Sequence, residues 1–125
     1  MTDSWAKKID AITLFVEDLE ASKEFYRDVL GLPIAFEDPD SAVFNFANTM
    51  VNLLHAPAVP ELIGPAEAGR GVRSVFTIGV EDVDAVCDEL SSRGVKLLNG
   101  PMDRPWGIRT ASFQDPAGYV WEVAK

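Results

Sequence analysis

The chain holds one cysteine and one histidine in 125 residues, and 11 basic side chains against 20 acidic ones. Each scarcity excludes something. A lone Cys87 can form no internal disulfide and no multi-cysteine zinc site. A lone His55 leaves little nitrogen with which to build a transition-metal centre. The net charge of −9 repels nucleic-acid phosphates, so no nucleic-acid partner is expected. That charge suits a cationic small molecule, and it suits plain solubility too. No apolar run nears the roughly 20 residues that cross a bilayer, so no membrane partner is expected. Met1-Thr2-Asp3-Ser4-Trp5-Ala6-Lys7-Lys8 lacks the charged-then-apolar order of a secretory leader, which predicts a cytoplasmic protein.

What is present is globular. The hydrophobic share is 47%, enough for a core, and the length suits one domain. The most telling stretch runs from Trp106 to Val123 and reads as two strands joined by a tight turn, Asp115-Pro116-Ala117-Gly118. Asp accepts local backbone bonds, Pro presets φ and Gly takes a positive φ. The second strand, Tyr119-Val120-Trp121-Glu122-Val123, is apolar except for Glu122. A carboxylate in a half-buried strand needs a cation, a metal, a proton to move, or open solvent.

Earlier in the chain, residues 8–16 alternate as a strand, with Ile12, Leu14 and Val16 on one face and Ala11, Thr13 and Phe15 on the other. Asp18 is a helix N-cap, and the helix is expected to reach about Leu30, where Gly31 and Pro33 stop it. Strands follow at about 33–37, 42–47 and 50–55, with a turn at Asn48-Thr49. Residues 57–71 are rich in proline and glycine. They predict a connector without helix or ladder, mobile and lid-like.

Then the pattern restarts. Residues 72–80 read as a strand, Asp82 as a cap, and Val83, Val86, Cys87 and Leu90 as the stripe of a second helix, which makes Cys87 a core residue. Gly94 stops that helix, and strands are expected at about 95–99, 107–113 and 119–124. Val16-Glu17-Asp18-Leu19 matches Val80-Glu81-Asp82-Val83. The reading is therefore an α+β fold of two βαβββ modules: module 1 at about 8–56, the connector at 57–71, and module 2 at about 72–124. One helix cannot cover both faces of four strands. The modules are expected to form a curved, cup-like mixed sheet with the helices outside and a ligand trough inside.

With this repeat, the opening Val16-Glu17-Asp18-Leu19, the run Phe25-Tyr26-Arg27-Asp28-Val29-Leu30-Gly31-Leu32 and the C-terminal hairpin, the chain resembles the vicinal oxygen chelate superfamily. That superfamily includes glyoxalase I, extradiol dioxygenases, fosfomycin-resistance enzymes, and bleomycin- and mitomycin-binding proteins. The resemblance spans almost the whole chain and implies a homodimer. It also implies a metal held from the first and last strand of each module. The matching positions are Ala11, Val75, Asn52 and Glu122. Alanine and valine have no lone pair, and one amide plus one carboxylate falls short of a divalent site. The expectation is no metal ligands and no cofactor, with a divalent metal only in a metal-dependent lyase or dioxygenase whose ligands are displaced. His55, three residues from Asn52, is expected on the opposite face.

Without a metal, Glu122 has three roles open to it. It pairs with Arg109 across the turn, or meets a ligand, or acts as a general acid or base among apolar walls such as Ala11, Val75 and Leu54. The candidate ligand-binding set is Thr13, Phe15, Asn52, Leu54, Thr77, Trp106, Arg109 and Glu122, with Glu122 the candidate catalytic residue. Thr13 and Thr77 are repeat-equivalent hydroxyls, either ligand contacts or ordinary strand residues. Phe15 and Trp106 either stack on an aromatic ligand or cover the core. Arg109 holds a ligand carboxylate or holds Glu122. Two functions follow. One is a metal-free binding protein of the drug-sequestering type, with an aromatic or cationic ligand. The other is an enzyme, through Glu122 acid–base chemistry or through displaced metal ligands.

Overall fold

The computed structural model describes residues 6–125; the first five, on which the leader expectation partly rests, lie outside the described residues. The chain divides into two compact units, one up to Ala68 and one from Gly69. Each is an α+β module with a four-stranded mixed sheet.

In the first unit the strands are β1 (Ala11–Val16), β2 (Ile34–Asp38), β3 (Ser41–Asn45) and β4 (Met50–His55), and helix α1 is Leu19–Glu24. The sheet order is β1-β4-β3-β2, with β1 parallel to β4 and the other pairs antiparallel. Asp18 caps α1 as expected, its Oδ1 accepting from Ala21 N at 3.0 Å. The helix continues to Val29, but its last five residues, Phe25–Val29, wind as a π turn. Leu30 N closes that turn on Phe25 O at 3.1 Å. The wider turn goes with two adjacent rings entering the core, Phe25 and Tyr26. Tyr26 lies 5.7 Å from Phe44 of β3 between ring centroids. Leu14, Val16, Val51 and Leu53 are buried with it, so alternate residues of β1 and β4 face the helix. The β3–β4 turn lies one residue earlier than the expected Asn48-Thr49: Phe46 N bonds Thr49 O at 2.9 Å, which puts Ala47 and Asn48 at its tip.

The proline-rich connector departs from expectation. Ala56–Ala58 is a 3₁₀ turn and Val59–Ile63 a short helix, α2. Both carry a proline in the first turn, where a missing N–H costs nothing. Val59 is buried, so this part of the segment is anchored.

In the second unit the strands are β5 (Val75–Gly79), β6 (Leu97–Asp103), β7 (Arg109–Gln114) and β8 (Val120–Ala124), and helix α3 is Val83–Ser92. The order is β5-β8-β7-β6, with β5 parallel to β8. Asp82 caps α3 through Ala85 N at 3.0 Å. Val83, Cys87 and Leu90 pack inward, against Phe113, Trp121 and Val123 on the helix side of the sheet. Phe76 joins Trp121 at 5.0 Å between centroids. The Asp115 turn forms as expected. Its carboxylate accepts from Ala117 N at 3.0 Å and Tyr119 N at 2.8 Å, and Gly118 sits at φ 94°.

β6 runs past the expected end at 99 to Asp103. Its register against β7 shifts twice, between Leu97 and Asn99 and between Asn99 and Met102. Gly100 lies inside the second shift, at φ 84°. A Cβ there would sit 2.5 Å from Thr110 O and 2.7 Å from Ala111 Cα. Only glycine lets β6 approach β7 this closely. Gly100→Ala is therefore expected to cost well over about 1 kcal/mol in urea unfolding. Phe113→Ala, emptying a fully buried position, should cost about 3–5 kcal/mol. A Gly100→Ala chain with an unchanged urea midpoint would contradict this account of β6.

Candidate functional site

Each sheet has one face packed on its helix. The candidate residues lie on the other, here called the far face. In the second unit the register sets a row across all four strands. Thr77 of β5 stands beside Glu122 of β8, Glu122 opposite Ser112 of β7, and Ser112 opposite Asn99 of β6. Every member is polar. Thr77 Oγ1 donates to Glu122 Oε1 at 3.0 Å. The equivalent row of the first unit is Thr13 of β1, Asn52 of β4, Val43 of β3 and Phe36 of β2. Here the polar half is retained and the other half is apolar. Asn52 Oδ1 is buried and has no hydrogen-bond partner among the described residues. Phe15 and Leu54 are neighbours on the same face, one register step further on.

Of the roles open to Arg109, pairing with Glu122 is excluded, because its side chain bonds Asp84 and Asp103. Arg109 lies opposite Lys125, each donating its N–H to the other's carbonyl at 2.9 and 3.1 Å. Its side chain has the parity of Ala111 and Phe113 and turns toward α3. Its Nε and Nη2 donate to the two oxygens of Asp84, both at 2.9 Å, and its Nη1 to Asp103 Oδ1 at 3.0 Å. It clamps β7 to α3 and to the end of β6. The two carboxylates push its pKa up. In return, its guanidinium holds the Asp84 carboxyl below the usual carboxylate range.

Trp106 is 68% exposed in the turn between β6 and β7. Beside it is a residue that the candidate set omitted, Arg104. Its Nε donates to Thr110 Oγ1 at 2.8 Å and its Nη2 to Asn99 Oδ1 at 3.2 Å. Its guanidinium carbon stands 5.7 Å from the centre of the Trp106 ring. Backbone bonds between Arg104 and Ile108 and between Gly107 and Arg104 close the turn. By alternation from Met102 opposite Thr110, Arg104 belongs to the far face, with Glu122.

The donor set at the family's metal positions is sparse. Ala11 and Val75 offer no donor atom, leaving one amide and one carboxylate. Among the described residues no cluster of three or more His, Cys, Asp and Glu side chains could hold a metal ion. His55 closes β4 beside Val16, on the parity of buried Val51 and Leu53, away from Asn52. These residues do not fit a first-row divalent ion at the family's position.

A repeated βαβββ unit with its paired first- and last-strand positions defines a protein of the vicinal oxygen chelate class. The chain belongs to the Glyoxalase/Bleomycin resistance protein/Dioxygenase superfamily, whose family model matches residues 8–123. It is similar to protein YraH of Bacillus subtilis, 36% identical over 125 residues, 94% of this chain and 98% of that one. It is 29% identical over 119 residues to a probable lactoylglutathione lyase of Synechocystis, covering 86% of this chain and 87% of that one. Among solved structures it is similar to a glyoxalase/bleomycin resistance protein/dioxygenase from Nocardioides, with a TM-score of 0.81 and 28% identity over 98% of this chain and 85% of that one. Among the described residues no helix is long and apolar enough to cross a membrane.

Two outcomes follow from this chemistry. Burial, and then the charges of Asp84 and Asp88, push the Cys87 thiol up. Cys87 should therefore resist alkylation at pH 8 in the native chain and react only once urea unfolds it; rapid native labelling would contradict its place in the core. Asp84 has a depressed pKa in the folded state, so its stabilising effect is full above the unfolded value of about 3.9 and fades as pH falls through the folded one. Asp84→Asn should lower the melting temperature at pH 7, with the gap to wild type closing below about pH 4.

Proposed function

We propose that the chain is a metal-free small-molecule binding protein that holds an aromatic or cationic ligand on the far face of a sheet. The observation that carries this reading is Asn52 Oδ1. A buried acceptor left unpaired costs about 1–3 kcal/mol, and a ligand N–H or O–H would recover it. Its repeat equivalent, Glu122, supports the reading. One carboxylate oxygen is occupied by Thr77, and the other can meet a cationic or hydrogen-bond-donating group. In the first unit Phe36 and Met50 are exposed apolar side chains on the face of Asn52 and suit the greasy part of such a ligand.

A second reading is an enzyme in which Glu122 transfers a proton. The Synechocystis relative, named a probable lactoylglutathione lyase, favours it, as does a carboxylate positioned by Thr77. Glu122→Gln separates the two. It would abolish turnover in the enzyme and only weaken a binder.

Asn52→Leu is the sharper test. Removing the orphaned acceptor should stabilise the free chain by about 1–3 kcal/mol while reducing the melting shift produced by any cationic aromatic compound that wild type binds. A destabilised variant with unchanged ligand shifts would sink the proposal. So would wild-type protein that retains stoichiometric Ni, Zn, Mn or Fe through Glu122.

A further inference from the structure

Three basic side chains among the described residues are half-buried: Lys23, Arg104 and Arg109. Lys23 bonds Glu20 at 3.0 Å and Glu37 at 3.2 Å. Arg109 bonds Asp84 and Asp103. Each therefore carries two carboxylates, as a partly desolvated cation requires. Arg104 carries none. Its two protein acceptors are neutral, the Thr110 hydroxyl and the Asn99 amide oxygen. In a chain of net charge −9, carboxylates are plentiful, yet none among the described residues is placed on this guanidinium.

The group is nonetheless held in place. Nε is tied to Thr110, which is fully buried. Nη2 is tied to Asn99, and Trp106 flanks the guanidinium plane. A guanidinium has five N–H donors in a planar fork. Two are used, and three have no protein acceptor among the described residues. A fork fixed by neutral partners, with its charge uncompensated and donors to spare, is preorganised for a planar or tetrahedral oxyanion.

We propose that Arg104, braced by Asn99, Thr110 and Trp106, is an oxyanion-binding site that takes the carboxylate, phosphate or phosphonate end of a small ligand. This deepens the binding proposed above and rests on it, because Arg104 shares the far face with Glu122. Asn99 and Glu122 flank Ser112 in one row, so their backbones stand about 10 Å apart, two strand spacings, and Arg104 Nη2 is held on Asn99. The ligand that satisfies both carries an anion at one end and an N–H or cationic group at the other. Among the described residues Glu122 and Arg104 form no ion pair with each other: Glu122 bonds Thr77, and Arg104 bonds Thr110 and Asn99.

The test uses the full ¹⁵N-labelled chain, titrated separately with benzoate and phenylphosphonate at ionic strength fixed with chloride. The Trp106 indole N–H, assigned with Trp106→Phe, and the Arg104 Nε–H are followed. Saturable shifts at both groups are expected with at least one probe, and the stronger of the two identifies the oxyanion as carboxylate or phosphonate. Arg104→Met should weaken that binding about tenfold or more. Arg104→Lys, which keeps the charge but not the fork, should fall between. Equal binding by Arg104→Met, or no saturable shift with either probe, would overturn the site. Lys125→Met, which removes an exposed cation paired with Glu81, should leave oxyanion binding intact. Failure of the donor-binding reading shows instead in the melting shifts of Asn52→Leu with cationic compounds, while the Arg104 titration still stands.

Discussion

The carboxylate of Asp115 sets the geometry on which the second unit depends. By accepting from Ala117 and Tyr119 it fixes the turn, and the turn fixes which residues of β7 and β8 stand opposite each other. With Gln114 opposite Val120, Ser112 must meet Glu122 and Arg109 must meet the chain end. A slip of one residue would send every side chain to the other face. Glu122 would then lie under α3, Trp121 would lose Phe76, and Arg109 would leave Asp84. One short turn thus holds both the core and the far face in register.

The same rule explains the division of labour within each unit. A single helix closes one face of four strands, and the residues beneath it are those a core needs: Phe44 and Leu53 in the first unit, Phe113 and Val123 in the second. The far faces carry the differences. Across equivalent rows, threonine is retained at both first strands, asparagine stands where glutamate stands, valine where serine stands, and phenylalanine where asparagine stands. The first unit offers one amide among apolar neighbours. The second offers an acid, a braced cation and hydroxyls.

Much of this was legible in the residues alone. Period-two alternation, the two Asp caps and the Asp-Pro-Ala-Gly turn are local signals, so the repeat and most strand positions could be read directly. Glu122, Asn52 and the two threonines followed from alternation plus equivalence. The misses have physical causes. Proline in the connector reads as a breaker, but at a first helical turn it is harmless, and α2 forms there. Gly100-Pro101 reads as a strand end, but it is a close approach within a longer strand. That irregularity hid Arg104, whose face can be assigned only after both register shifts are counted. The direction of Arg109 could be read by counting back from the turn to Ala111 and Phe113, which share its parity and face the helix; nearness along the hairpin does not bring it to Glu122.

The separation of faces also bears on how such a chain changes over generations. Substitutions at Val43, Phe36, Ser112 or Asn99 alter the chemistry of the far faces while the helix-side residues that hold each sheet together remain in place. Selection can therefore explore new chemistry on one side of the sheet with little risk to folding on the other. Duplication of the module doubled the positions open to that search.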